Sequence, residues 1–397
     1  LIKTDLITRL FPQGGKKMDP EKFEALKADI FDFFWRELDP AVPEIEKTGR
    51  IAPEVWFPKF REHGLWGLLI PEEYGGSGLT MTQYIPILVE MSKVHGGVRV
   101  LIHVHNSMSK GIVRGGRDEQ KKELLPKIAT GEISVAFGLT EAKSGTGRDI
   151  KTTAVRQGDH YVINGEKHLI TNTDFADYIA VYCYTDKNAG SRGISGILVH
   201  RDTPGFTLEP HKALLGCRGS SHGILTFKDC LVPADMVIGR EGDGLEHALS
   251  MLETSRVFIA ASSLGTAERA LEVALDFSKK RVTFGKAIAE REGVRQYLAD
   301  MTIDVYALRC MLDDACRKID QGRPIPVEAS ACKTFGAEAV CRVTETALQT
   351  VGGIGYTAAH PIEMLHRDAR LNLLEEGTLT IQRMVIARAM LAGYELT

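Results

Sequence analysis

His160 to Thr171 reads HYVINGEKHLIT. Two strand-like runs flank Asn164-Gly165, a dipeptide suited to the left-handed positions of a tight turn. The pattern predicts a β-hairpin centred on that pair. The same texture continues on both sides. ISVAFGLT (133–140) is a short apolar run that fits a strand, and DYIAVYCYT, ISGILVH and GILTFKDCLV follow at short intervals with turn residues between them. The stretch from 133 to about 240 therefore reads as all-β.

Outward from it the period changes to that of helices. Upstream, DPEKFEALKADIFDFFWREL places Phe23, Leu26, Ile30, Phe33 and Phe34 at helical spacing, with Asp19 and Pro20 as a start signal. PEVWFPKFREHGLWGLLIP and TQYIPILVEMSKV continue in that style, punctuated by PEEYGGSG (71–78). Downstream, Leu298, Met301, Val305, Leu308, Leu312, Ala315 and Ile319 alternate steps of three and four, the stripe of a long helix in a bundle. Ala329, Cys332, Gly336, Ala339, Val343 and Ala347 form a second stripe of small residues that permits close approach. The predicted fold is mainly α with a central β domain: an N-terminal helical domain (18–132), a middle β-barrel-like domain (133–243) and a C-terminal four-helix bundle (244–397). No internal repeat or low-complexity tract interrupts this layout.

The 397 residues are enough to bury a sizeable core without disulfide staples. Apolar residues make up 44% and charged residues 25%, ordinary values for a globular chain. A formal charge of -3 gives no bulk attraction to nucleic acid. The seven cysteines are odd in number and none forms a C-x-x-C, so neither a disulfide framework nor a zinc site is indicated. A reducing compartment, the cytoplasm or a mitochondrial matrix, is the expectation. No apolar run approaches the roughly 18 residues of a membrane span, and LIKTDLITRLFPQGGKK lacks a signal-peptide layout.

Several segments offer chemistry, each with a plain alternative. GLTEAKSGTGRD (138–149) is a loop rich in Gly, Ser and Thr after a strand; it can cradle a phosphate or polar ring edge, or be an ordinary β loop. It is neither G-x-G-x-x-G nor a P-loop. QTVGGIGY (349–356) follows a helix and reads as a C-cap, or as close backbone approach to a pyrophosphate. RVTFGK (281–286) ends a helix, where Arg281 complements the dipole or holds a phosphate. His103 and His105 stand two apart in a helical segment, so they point apart and a metal pair is not expected. No H-E-x-x-H or serine nucleophile elbow is present. Glu375 and Glu376, in LLEEGTLTIQR (373–383), read locally as a solvated acidic helix end.

Taken in order, these pieces resemble the acyl-CoA dehydrogenase family from about residue 20 to 390. The resemblance rests on GLTE (138–141), GDHYVINGEKHLITN (158–172), PGF (204–206), LVPADMVIGREGDG (231–244), R..FGK (281–286), QTVGGIGY, RDAR (367–370) and EEGT (375–378). It implies FAD, an acyl-CoA substrate, a homotetramer, and an electron-transferring flavoprotein as acceptor. By position, it implies that Leu139, Thr140 and Thr171 face the flavin ring. Arg281, Phe284, Gln349, Gly352 and Gly353 would hold the adenosine diphosphate part, partly across a subunit interface, and Thr378 and Gln382 would lie near the pyrophosphate and ribityl chain. Glu376 matches the family's catalytic base, which takes the α-proton of a thioester while the flavin accepts the β-hydride. Thr146 and Arg256 fall on the substrate side. Alternatives on the same scaffold are an acyl-CoA oxidase, an enoyl-CoA reductase, or a non-catalytic acyl-CoA-binding member.

The chain departs from the family pattern in places. Glu375 stands where tyrosine is usual, Ala142 follows Thr140-Glu141 where proline is usual, Gly145-Thr146-Gly147 replaces G-S-D, Leu169 replaces a tryptophan, and Glu292 replaces a glutamine. Arg99, in GGVRVLIHVHNS, matches an arginine by which glutaryl-CoA dehydrogenases hold a distal carboxylate. An arginine deep in an acyl pocket is costly without an anionic partner. Two partners fit: a carboxylated acyl group (glutaryl-, methylsuccinyl- or benzylsuccinyl-CoA-like) or a protein acid such as Glu375.

Overall fold

The computed structural model describes residues 17–144, 147–211 and 213–396. The Asp19 side chain accepts from the N–H groups of Glu21 and Lys22, and Pro20 opens helix α1 (Pro20–Phe33) as the start signal implied. A single π turn, Phe34–Leu38, leads into α2 (Asp39–Thr48) just ahead of Pro40, which has no N–H to give the ladder. Helices α3 (Pro53–Glu62), α4 (Met81–Val94), α5 (Gly96–Gly115) and α6 (Asp118–Ala129) complete the N-terminal helical domain. Aromatic rings dominate its core: Phe33 and Phe60 meet edge to face at 6.2 Å, and Phe57 meets Trp66 at 4.9 Å.

Seven strands follow: β1 (Val135–Gly138), β2 (Thr153–Gln157), β3 (His160–Thr171), β4 (Tyr178–Tyr184), β5 (Ile194–His200), β6 (Phe206–Pro210) and β7 (His222–Pro233). The order is β1-β4-β2-β3-β7-β6, with β5 antiparallel to β4 and β1 parallel to it. Strand β4 thus has three neighbours, and the sheet branches and curls there. Asn164-Gly165 does not make the hairpin expected of it. The turn is Gly158-Asp159, closed by the Gln157–His160 pair, and Gly158 at φ 62° suits the first central position of a type II′ turn. Asn164-Gly165 instead forms a bulge inside β3, where the register against β7 shifts between Ile163 and Gly165. The Asn164 amide and Asp229 lock it reciprocally, and a Cβ on Gly165 would lie 2.7 Å from Thr152 Cα. Two turn-forming dipeptides occur six residues apart, and pairing with β7 decides between them.

The C-terminal part is helical: α7 (Gly244–Lys280), α8 (Glu292–Asp320), α9 (Pro326–Val351), α10 (Pro361–Asp368) and α11 (Leu379–Leu391). Both predicted stripes face inward. Leu308, Leu312 and Ala315 of α8, and Ala329, Cys332, Val343 and Ala347 of α9, are buried in one core that also takes in α1, α4 and α5. A second core joins α5 and α6 to β1, β4 and β5. RVTFGK is not a last helical turn: α7 stops at Lys280, and 281–287 form a small hairpin of β8 (Val282–Thr283) and β9 (Lys286–Ala287), with positive φ at Phe284 and Gly285.

The loop after β1 is anchored by one buried ion pair. Glu141 accepts from Lys167 Nζ at 2.9 Å, Thr152 Oγ1 at 2.6 Å, and the N–H groups of Lys151 and Thr152 at 2.6 and 3.0 Å. Burial alone would raise its carboxyl, yet the Thr152 hydroxyl and the Lys167 ammonium outweigh it and hold it down to about 2. Lys167 has no exposed side-chain surface, so Glu141→Ala leaves a buried cation unpaired and is expected to cost about 3–5 kcal/mol in urea unfolding. The carboxyl's ordinary value is 4.5. The pair's contribution is therefore complete above that pH and lost as pH falls toward about 2, and the gap between wild type and Glu141→Gln should narrow over that interval.

Candidate active site

Helix α5 is buried along most of its length and fixed at its start. His95 caps it by accepting from Val98 N–H at 3.2 Å, while its other ring nitrogen meets Glu46 at 3.1 Å. Glu46 also accepts from Arg367 of α10 at 2.6 Å, so α2, α5 and α10 are tied at one point. From this base Arg99 and His103, one turn apart, present the same face. His105 points the other way, to the Ile128 carbonyl at 3.1 Å and the edge of Trp66. The two histidines do diverge, and no group of three metal-ligating side chains occurs among the described residues.

The acidic pair is not a helix end. Glu375 and Glu376 lie in the irregular segment between α10 and α11, and Glu376 takes φ 56° in the left-handed region. For a non-glycine residue this costs about 1 kcal/mol or more and persists only when surroundings enforce it. Gly377 follows at φ 94°, where a Cβ would also lie 3.0 Å from Gln382 Nε2. Two buried side chains clamp the turn. Lys333 of α9 donates to the carbonyls of Gly377 (2.8 Å) and Leu373 (3.3 Å), and Gln382 of α11 donates to those of Glu376 (2.9 Å) and Gly377 (3.2 Å).

The two carboxylates are held differently. Glu375 forms a forked pair with Arg99, at 3.0 and 3.2 Å, and Asn372 Oδ1 takes a further Arg99 N–H at 3.2 Å. The protein-acid alternative for Arg99 is therefore realised. Among the described residues, Glu376 receives one side-chain hydrogen bond, from Ser255 Oγ of α7 at 2.7 Å. Burial pushes its carboxyl up to about 7; Ser255 and the charges of Arg256 and Lys333 resist this, while Glu375 adds to it. Burial also lowers Lys333, to about 8, against the pull of both glutamates. Arg256 is 8% exposed with an unpartnered Nε, and burial lowers its pKa. It is a desolvated cation beside Glu376.

The other predicted residues fall into two groups. Leu139 is buried and Thr140 half-buried after β1, and Thr171 ends β3 with its hydroxyl 3.1 Å from His222 Nε2. Around Thr171, His222 Nδ1, His211 Nε2 and Asn172 Oδ1 are buried without partners. These orphaned polar atoms suit the polar edge of a planar ring such as the isoalloxazine of FAD. Arg281, Gln349, Gly352, Gly353 and Thr378 are exposed, and Phe284 is 95% exposed. Gln382 is wholly buried and braces the loop, with its Oε1 unpartnered. Thr146 lies outside the described residues. Sequence reasoning missed Ser255, Lys333 and Asn372, and took His103 only as a metal candidate. Lys333 left one signal, a cation in an otherwise apolar stripe.

The acyl-CoA dehydrogenase N-terminal, middle and C-terminal domain families match residues 20–132, 136–230 and 242–391. An acyl-CoA dehydrogenase of Bacillus subtilis is 38% identical over 366 residues, spanning 92% of this chain and 96% of that protein. Butyryl-CoA dehydrogenase from Megasphaera elsdenii superposes with a TM-score of 0.90 at 33% identity, covering 95% of this chain and all of that one. The glutaryl-CoA complex of a glutaryl-coenzyme A dehydrogenase superposes with a TM-score of 0.89 at 28% identity, over 96% and 97% of the two chains.

Arg99 is 1% exposed, so Glu375→Ala should cost about 3–5 kcal/mol in urea unfolding by stranding its charge. Arg99→Met with Glu375→Leu removes both charges and should recover most of that loss. The four-protein cycle gives the coupling directly.

Proposed function

The chain belongs to the acyl-CoA dehydrogenase family, whose members are FAD-dependent oxidoreductases, and from that premise we propose that Glu376 is its catalytic base. The observation behind this is a carboxyl held near 7 on a clamped, left-handed turn beside a desolvated arginine. FAD, when bound, supplies the acceptor for the hydride leaving the β-carbon of the thioester. The chain's own part is to take the α-proton onto a Glu376 carboxylate oxygen. A base with a value near the working pH combines a useful ionised fraction with driving force for transfer. The Glu376 backbone N–H donates to no other described residue and is free to stabilise the developing enolate oxygen. Arg256, whose charge acts on Glu376, is the residue we assign to thioester placement.

The pairing of Arg99 with Glu375 bears on the acyl group. Arg99 already has a resident carboxylate, so the site is charge-balanced with a neutral acyl chain, and we favour a short monocarboxylic thioester. A second reading keeps the distal carboxylate. Glu375 is 17% exposed, so an incoming carboxylate has room to replace it on Arg99. Electrons then pass to an electron-transferring flavoprotein. A homotetramer would cover the bare Phe284, together with Ile303 and Tyr306 on α8 and Leu391 on α11, all exposed in the single chain. No helix among the described residues is long and apolar enough to cross a membrane.

Anaerobic bleaching of the flavin by a panel of thioesters tests the reaction. Glu376→Gln should lose about 10²–10⁴-fold in the reduction rate while retaining the yellow cofactor; full reduction by that variant would remove Glu376 as base. Because the base must be ionised, kcat/KM should fall tenfold per unit below pH of about 7 and level off above it. Butyryl-CoA should outpace glutaryl-CoA, with Arg99→Ala impairing both. A selective loss on glutaryl-CoA supports the diacid reading instead.

A further inference from the structure

Between Arg99 and Glu376 runs an unbroken string of side chains. Arg99 Nη1 lies 3.5 Å from His103 Nδ1, His103 Nε2 lies 2.9 Å from Ser255 Oγ, and Ser255 Oγ lies 2.7 Å from Glu376 Oε1. Its direction follows from the chemistry of its ends. A guanidinium has donors only, so His103 Nδ1 must face it unprotonated. The ring proton then sits on Nε2 and is donated to Ser255 Oγ. That leaves the serine its own proton to give, and the carboxylate is the acceptor in reach. Burial, seconded by the Arg99 charge, keeps His103 well below its ordinary value and so neutral.

Serine in a helix has another option: bonding back to the carbonyl four residues earlier. Ser263 on the same helix does this, to Ile259 at 3.0 Å, and so do Ser92 and Thr334 elsewhere. The hydrogen bonds of Ser255 go instead to His103 and Glu376. We infer that His103, held in one tautomer by Arg99, is a positioning residue that turns the Ser255 hydroxyl onto the Glu376 carboxylate and holds that base in its reactive form. This rests on the reading of Glu376 as base. It gives Arg99 a task that needs no substrate carboxylate.

The other charged groups facing Glu376 are Glu375 on its own segment, Arg256 on α7 and Lys333 on α9. Variants of the string leave all three in place. Using the FAD-loaded enzyme and butyryl-CoA, the acidic limb of kcat/KM is measured for each variant, with thermal unfolding as the check on folding. A carboxylate that loses its donor has a higher pKa. Ser255→Ala and His103→Leu should each move the limb up by about one pH unit. Ser255→Thr and His103→Gln, which keep the hydroxyl and the donor–acceptor pair, should leave it at the wild-type position. A pH-independent loss with the limb unmoved overturns the inference, as does His103→Gln behaving like His103→Leu. If His103→Leu does not fold, the smaller Ser255→Ala change decides. An inactive Glu376→Gln with an unmoved limb in the string variants sinks this inference alone; an active Glu376→Gln sinks the reading beneath it.

Discussion

A half-buried carboxylate whose side-chain donor is a single hydroxyl is the constraint around which the molecule is arranged. Left alone, Glu376 would protonate or turn to solvent, since burying an unpaired charge costs several kcal/mol. Its turn is denied that freedom by Lys333 and Gln382, which reach its carbonyls from two different helices. The Gln382 clamp comes from six residues further along the chain, but the Lys333 clamp is distant. It depends on the close packing of α9 against α7, α8 and α11, which ties the left-handed turn to the bundle stripe.

The adjacent acids then separate by environment. Two neighbouring carboxylates in one pocket raise each other's pKa, and a site with both unpaired would hold a proton between them. Arg99 prevents this by taking Glu375 into a forked pair, leaving Glu376 as the only poorly compensated member. The glutamate at 375, which departs from the family pattern, thus matches the arginine at 99. Each makes the other tolerable in a buried site, and Glu375 read singly gives the wrong expectation of a solvated helix end.

What was legible in the chain tracks what is local. Helical stripes, the Asp19-Pro20 start and the succession of strands depend on periodicity and capping, and they appear where expected. Asn164-Gly165 misled because a bulge and a turn ask for the same residues, and the partner strand is some sixty residues away in β7. The motif RVTFGK was read as part of a helix because Lys279 and Lys280 continue the helical texture up to its edge. For the site, Glu376 was visible through its surrounding motif. Its supports were not: Ser255, Lys333 and Asn372 are single polar residues in apolar helices, with nothing nearby in sequence to mark them.

The residues that the family resemblance assigns to the flavin side show the same dependence carried one level further. Thr171 sits among buried polar atoms that lack partners, whereas Arg281, Phe284 and the Gly352-Gly353 pair stand open to solvent. A single chain would gain nothing by baring a phenylalanine on a hairpin tip with positive φ, where both the exposure and the backbone are unfavourable. The arrangement becomes favourable if a cofactor and a second copy cover it, because burial of the ring then offsets the strain of the turn. Assembly, cofactor retention and the tip conformation would in that case be one coupled equilibrium.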